Sequence, residues 1–277
     1  MQMTQAGQDD ALVDLHGYLT GKAGGPVGPE PWTPGRLKLF ASHLAEHREL
    51  VGRISSYLMK YGVHTFVAHD SIVPSMEWQN VIEAALQTCD AMIVFLHPGF
   101  SESKWCDQEV GWALGQRVPV LPLNFGIDPY GFLGKLQAEH CEPAHVPIVG
   151  SKVMSWLLRT KSTHTPLAEG LVWALENSES FDRTRGLIPA LEQIKSYTPD
   201  QLSRIEKATR DNSQIVEAYI VSEPYGREMA PKRIARLLED RGATAPNSTD
   251  NSWGDDPWAS APKPNPTNDP WTAEPPF

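Results

Sequence analysis

The sequence predicts an α/β fold built on a doubly wound, mostly parallel sheet, and two observations carry that prediction. Between Leu37 and Leu123, short apolar runs alternate four times with segments of helical periodicity, which is the rhythm of strands joined by crossover helices. One run, Ala91-Met92-Ile93-Val94-Phe95-Leu96, is apolar at every position, as a central strand covered on both faces must be. In open sheets of this kind, ligands gather beyond the carboxyl ends of the strands.

Leu37 to Ala41 reads as the first strand, after which Leu44, His47, Val51, Ile54 and Leu58 recur at helical spacing. Val63 to Ala68 is the second strand. After a turn from His69 to Pro74, Ser75 is placed to cap a helix whose Trp78, Val81, Ile82, Ala85 and Leu86 form an apolar stripe. The third strand, Ala91 to Leu96, leads into a helix around Trp105, and Val118 to Leu123 is the fourth strand. The loops at His43, His69 to Ser75 and His97 to Lys104 are therefore expected to rim one site. Farther on, Val146 to Val149 reads as a fifth strand and Lys152 to Arg159 as a closing helix.

The rest of the chain divides by composition. Residues 1–35 carry a short helical pattern (Ala11 to Leu19) and then a density of glycine and proline that marks an extension and linker. The α/β domain spans 36–160. Residues 165–241 read as a helical segment, with helices over Leu167 to Leu175, Leu187 to Ile194 and Pro231 to Arg241. Another helix starts at Thr198-Pro199-Asp200-Gln201, a capping-box sequence with proline at the first helical position. Residues 242–277 hold eight prolines, three tryptophans and few aliphatics, a composition that predicts a disordered tail.

Composition also excludes functions. A formal net charge of −10 with no basic cluster argues against direct nucleic-acid binding. Cys89, Cys106 and Cys141 are scattered, which fits neither a disulfide framework nor a zinc site and suggests a reducing, cytoplasmic setting. No basic start precedes an apolar core, and no apolar run approaches the roughly 20 residues of a membrane span, so neither secretion nor membrane insertion is expected. No GxGxxG follows a strand, and the first strand runs into Ser42-His43-Leu44 instead of an acidic pair. Hydride transfer and phosphoacceptor chemistry thus lack their residues. The nine histidines form no HExxH set, and no resident metal is expected.

The most informative stretch is Trp105-Cys106-Asp107-Gln108-Glu109-Val110-Gly111-Trp112. At helical spacing Trp105, Glu109 and Trp112 share one stripe, so a carboxylate lies between two indoles. The indoles are either walls for a planar ring or core packing, and Glu109 is either a functional carboxylate or a helix-surface one.

The block Ser101-Glu102-Ser103-Lys104-Trp105-Cys106-Asp107-Gln108-Glu109 is joined by Cys89-Asp90 ahead of the third strand and by the loop from Asp70 to Pro74 followed by Trp78. In that order these residues resemble the TIR domain family, especially bacterial TIR proteins, over about residues 36 to 160. The resemblance implies a flavodoxin-like five-stranded sheet and cleavage of NAD+ at the nicotinamide–ribosyl bond, with NAD+ as substrate and no cofactor. It assigns Glu109 as the catalytic carboxylate and Phe40, Ser42, Asp70, Trp78 and Trp105 as substrate-binding residues. It also implies activation by self-assembly through TIR–TIR contacts, in bacterial defence or NAD signalling, yielding linear or cyclic ADP-ribose. Pro74-Ser75 departs from the proline-glycine of many relatives. The alternatives are a non-catalytic TIR interaction module and a nucleoside-processing enzyme on a similar sheet. Finally, the terminal Pro275-Pro276-Phe277 resembles the tip of actinobacterial single-stranded DNA-binding proteins, which implies a protein partner that docks the Phe277 tail.

Overall fold

In a computed structural model of the chain, the described residues are 31–67, 76–222 and 226–242. The helical pattern at 11–19, the turn carrying Asp70 and the Ser75 cap, and the tail ending at Phe277 lie outside them. Five strands form one parallel sheet: β1 (Leu37–Ser42), β2 (Val63–Val67), β3 (Ala91–Leu96), β4 (Val120–Asn124) and β5 (Glu139–His140). Their order, β2-β1-β3-β4-β5, is the flavodoxin-like one. Phe40 stands opposite Phe66 on one side and Met92 on the other.

Helices cover both faces of the sheet. On one face, α1 (Arg48–Met59) sets Val51, Ile54 and Leu58 against Leu39, Ala41, Ile93 and Phe95. On the other face, α2 (Met76–Thr88) and α3 (Lys104–Gly115) bury Ile82, Ala85, Leu86, Cys106, Val110 and Ala113 against Phe40, Met92, Val94 and Leu96. All six residues of β3 are buried, as its unbroken apolar run requires. Trp32 is buried too and donates from Nε1 to Thr88 Oγ1 (2.8 Å), so packed structure begins ahead of residue 36.

The expectation for 146–159 is corrected. This stretch is one helix, α4 (Val146–Arg159), with Pro147 in its first turn. Val149, Val153 and Leu157 recur four apart and pack on the α1 face of the sheet, where a helical stripe can bury them and a strand could not. The fifth strand is instead the Glu139–His140 pair, held by register with Leu123 and Asn124 and by Lys152 Nζ donating to the His140 carbonyl (2.6 Å).

The helical segment comprises α5 (His164–Glu176), α6 (Phe181–Gln193), α7 (Pro199–Asp211), the short α8 (Ser213–Val216) and α9 (Ala230–Gly242). The capping box forms: Gln201 N donates to Thr198 Oγ1, and Thr198 N donates to Gln201 Oε1. Between α8 and α9 lies a hairpin that the periodicity does not announce, β6 (Tyr219–Ser222) with β7 (Gly226–Met229). Leu167, Leu171 and Leu175 of α5 belong to the same apolar cluster as the α1 face of the sheet, so one core runs from sheet to helical segment. Arg204 reinforces the segment by binding Glu169 (2.6 Å) and Glu176 (2.7 Å). None of the described helices is long and apolar enough to cross a membrane.

The junction between the two parts is a backbone contact. Gly62, at φ +72° in the turn after α1, accepts from Leu37 N (3.1 Å) and lies directly against Gly170 of α5. A Cβ at either glycine would penetrate the other's backbone. Gly170→Ala is therefore expected to destabilise the protein by about 1–3 kcal/mol. Gly111→Ala, on a helix position where a new Cβ meets nothing within 4 Å, is expected to stabilise it by about 1 kcal/mol. Urea unfolding of the two variants checks both signs.

Candidate functional site

The chain leaves β1 toward α1 on one face of the sheet and leaves β3 toward α3 on the other, so these neighbouring strands part at their carboxyl ends. That point is where such sheets hold ligands. Side chains alternate along β1: Phe40 and Ser42 face α3, while Leu39 and Ala41 face α1. Ser42, at the rim, is the polar member of its face.

Glu109 meets Ser42 there. The loop after β3 turns at Gly99 (φ +88°), anchors the fully buried Phe100, and ends at Ser103, whose hydroxyl caps α3 by accepting from Cys106 N (3.3 Å). This start places Glu109 on the sheet-facing side, 7% exposed. Ser42 Oγ donates to Glu109 Oε2 at 2.6 Å. Burial pushes the Glu109 carboxyl up to about 7, and the Ser42 hydrogen bond only partly opposes it.

The other expected residues have different surroundings. Trp105, a turn before Glu109, is 45% exposed, which corrects the core-packing alternative for that ring. Trp112 is half-buried against the α2–α3 side of the core. Phe40 is wholly buried and stacked on Phe66 (centroids 5.4 Å apart), so it supports the site from beneath and offers a ligand no free face. Trp78 belongs to α2, but its side chain and Asp70 lie outside what is described.

Two features escaped the sequence reading. Cys106, buried one turn ahead of Glu109, sits with Sγ 3.6 Å from the His43 carbonyl, and burial pushes its thiol up to about 11. Beyond β1 and β3, His97 is sandwiched between His47 (3.5 Å between centroids) and Phe125 (4.5 Å). Burial, followed by the neighbouring His47 and His43, lowers His97 to about 4 and keeps it neutral. His43 and His97 each directly follow a strand, a positional signal that was available in the sequence. Among the described residues, no group of three or more His, Cys, Asp or Glu is arranged to hold a metal.

The Glu109 shift has a consequence for stability. The folded protein binds this proton more tightly than the unfolded chain, so the stabilisation is full below about 4.5 and is lost as pH rises through about 7. A shift of that size corresponds to at most about 3 kcal/mol. Glu109→Gln should match the parent at pH 4.5 and exceed it in stability at pH 8, by an amount that denaturant unfolding at the two pH values measures directly. Equal stability at pH 8 would refute the raised carboxyl.

Residues 39–142 match the model of the TIR domain. Among solved structures, the TIR domain of the Toll-related Receptor TRR-2 from Hydra magnipapillata is similar at 19% identity, covering 43% of this chain and 96% of that one with a TM-score of 0.36. No curated protein matches the chain. The chain thus carries a TIR domain at residues 39–142, on a five-stranded parallel sheet and followed by a helical segment.

Proposed function

We propose that this TIR domain cleaves NAD+ at its nicotinamide–ribosyl bond, with Glu109 as the catalytic carboxylate and self-assembly as the activating step. The observation that carries this reading is a single buried carboxyl, held by Ser42 at the parting of β1 and β3. In the reaction the ribosyl C1′–N bond breaks and its electron pair departs with the ring, so nicotinamide leaves neutral and needs no general acid. The positive charge moves onto the ribose as an oxocarbenium ion. An anion in a water-poor site stabilises that charge more strongly than water does. Water then adds to C1′ and releases one proton, giving ADP-ribose, while addition of a group within the same molecule gives a cyclic product.

Glu109 must be ionised to act, and its high affinity for a proton in the free protein makes the site responsive to its substrate. The pyridinium charge of bound NAD+ favours the carboxylate. Ser42 is a positioning residue whose hydrogen bond favours the same ionised form. Trp105, a turn before Glu109 and 45% exposed, is the aromatic ring placed to meet the substrate in this reading.

Nicotinamide release by the full chain, alone and fused to a dimerising coiled coil, tests the proposal. Glu109→Gln is expected to lower turnover by about 10²-fold or more. For the parent protein kcat/KM should rise with pH through about 7, and Ser42→Ala should move that midpoint upward. NAD+ loss that survives Glu109→Gln removes Glu109 from the mechanism. No release in any assembled form favours the non-catalytic interaction module, and turnover of free nucleosides without NAD+ favours a nucleoside-processing enzyme.

A further inference from the structure

We propose that the cleft between the end of α1 and the start of α6 is a binding site for a phosphorylated nucleoside, separate from the Glu109 site. The cleft encloses about 570 Å³, within the range of small-ligand pockets. One wall comes from the TIR domain, with Tyr57, Lys60 and Tyr61. The other comes from the helical segment, with Ser180, Arg183 and Gly186.

Three chemistries converge on it. The first is unspent positive charge. Arg183 and Arg36 are neighbours, so each raises the electrostatic cost of the other, and their proximity adds to burial in lowering Arg36. Neither forms an ion pair among the described residues, and the Nε of each is buried without an acceptor. Arg36 is fixed by stacking on Trp173 (3.7 Å). Other arginines of the helical segment are held by carboxylates: Arg185 by Asp182, Arg204 by Glu169 and Glu176, and Arg233 by Glu192. Arg183 lines the cleft together with Lys60, with Arg36 next to it outside the lining, and guanidinium and ammonium donors of this kind suit phosphate oxygens. The thirteen-residue α6 also begins here, capped by Ser180, and its positive end adds to the same field.

The second chemistry is aromatic. The Tyr57 and Tyr61 rings lie 5.5 Å apart with their hydroxyls 3.4 Å from each other, a surface for a planar base with hydrogen-bonding groups at its edge. Tyr57 is wedged over Gly150 of α4, where any side chain would displace it. Gly186 keeps the opposite wall low, since a Cβ there would come within 3.2 Å of the Tyr61 hydroxyl. The third is an acceptor. Glu179 and Asp182 also line the cleft. Asp182 is committed to Arg185 at 2.6 Å, which leaves Glu179 to accept from sugar hydroxyls. A bare anion has no use for the rings or for Glu179, whereas a nucleotide uses all three features. Because the walls belong to different parts of the chain, a bound nucleotide ties the TIR domain to the helical segment.

Titration of the full chain with AMP, inorganic phosphate and adenosine, followed by calorimetry and by the thermal midpoint, tests the site. AMP is expected to bind and raise the midpoint by several degrees at saturation, with phosphate weaker and adenosine weakest. Arg183→Gln and Lys60→Gln should each weaken AMP by about tenfold or more. Gly186→Leu should abolish AMP binding while sparing phosphate, and its midpoint without ligand reports whether it folds. Glu109→Gln should bind AMP as the parent does, which separates this site from the one proposed for NAD+. The proposal is overturned if AMP does not bind at millimolar concentration, or if its binding is unchanged in both Arg183→Gln and Lys60→Gln.

Discussion

A parallel sheet whose central strand is apolar on every residue has to be covered on both faces, and the architecture follows from meeting that demand. The crossovers divide between the two sides, with α1 covering one face after β1 and α2 and α3 covering the other after β2 and β3. Covering both faces parts the chain at the carboxyl ends of β1 and β3 and brings Glu109 of α3 onto Ser42 of β1. On the α1 face the covering layer continues past α4 into α5 and its neighbours, so the helical segment shares the sheet's core instead of forming one of its own. The Gly62–Gly170 contact sets how close that segment sits, because only two residues without side chains allow the backbones to touch.

Glu109 is costly in this setting and useful for the same reason. Its carboxyl has been taken out of water with one strong donor as compensation, so its proton affinity rises to about 7. Replacing it should stabilise the fold at alkaline pH. His97 is buried between rings and held neutral well below the ordinary histidine range.

Charge is distributed unevenly for a chain with ten excess negative charges. Within the helical segment most guanidinium groups are held by carboxylates, which tie α7 to α5 and α9 to α6 and β7. Arg183 is an exception: it lines the cleft where α6 meets α1, together with Lys60, Glu179 and Asp182, and its Nε is buried without an acceptor. Which cations the tertiary contacts leave without a carboxylate is not written in the composition.

Much of this was legible in the chain itself. Short apolar runs and period-3.6 patterns identify β1 to β3 and α1 to α3 because those elements bury whole faces, and burial writes itself into residue type. The Thr198 capping box was readable because its bonds span three residues. Glu109 stood out through its local motif. What failed were elements held by long-range partners. Val146-Pro147-Ile148-Val149 is β-branched and reads as a strand, yet packing on α1 makes it the first turn of a helix. Glu139–His140 is too short and polar to show a period and is a strand only because β4 offers a free edge. The exposure of Trp105, the Ser42–Glu109 bond and the cleft beside Arg183 join residues far apart in the chain. The sequence alone determined which segments must be covered and which residues carry charge or reactivity. Only the tertiary structure decided which of those charges lose water and which find partners, because desolvation and pairing belong to neighbours that adjacency in the chain does not specify.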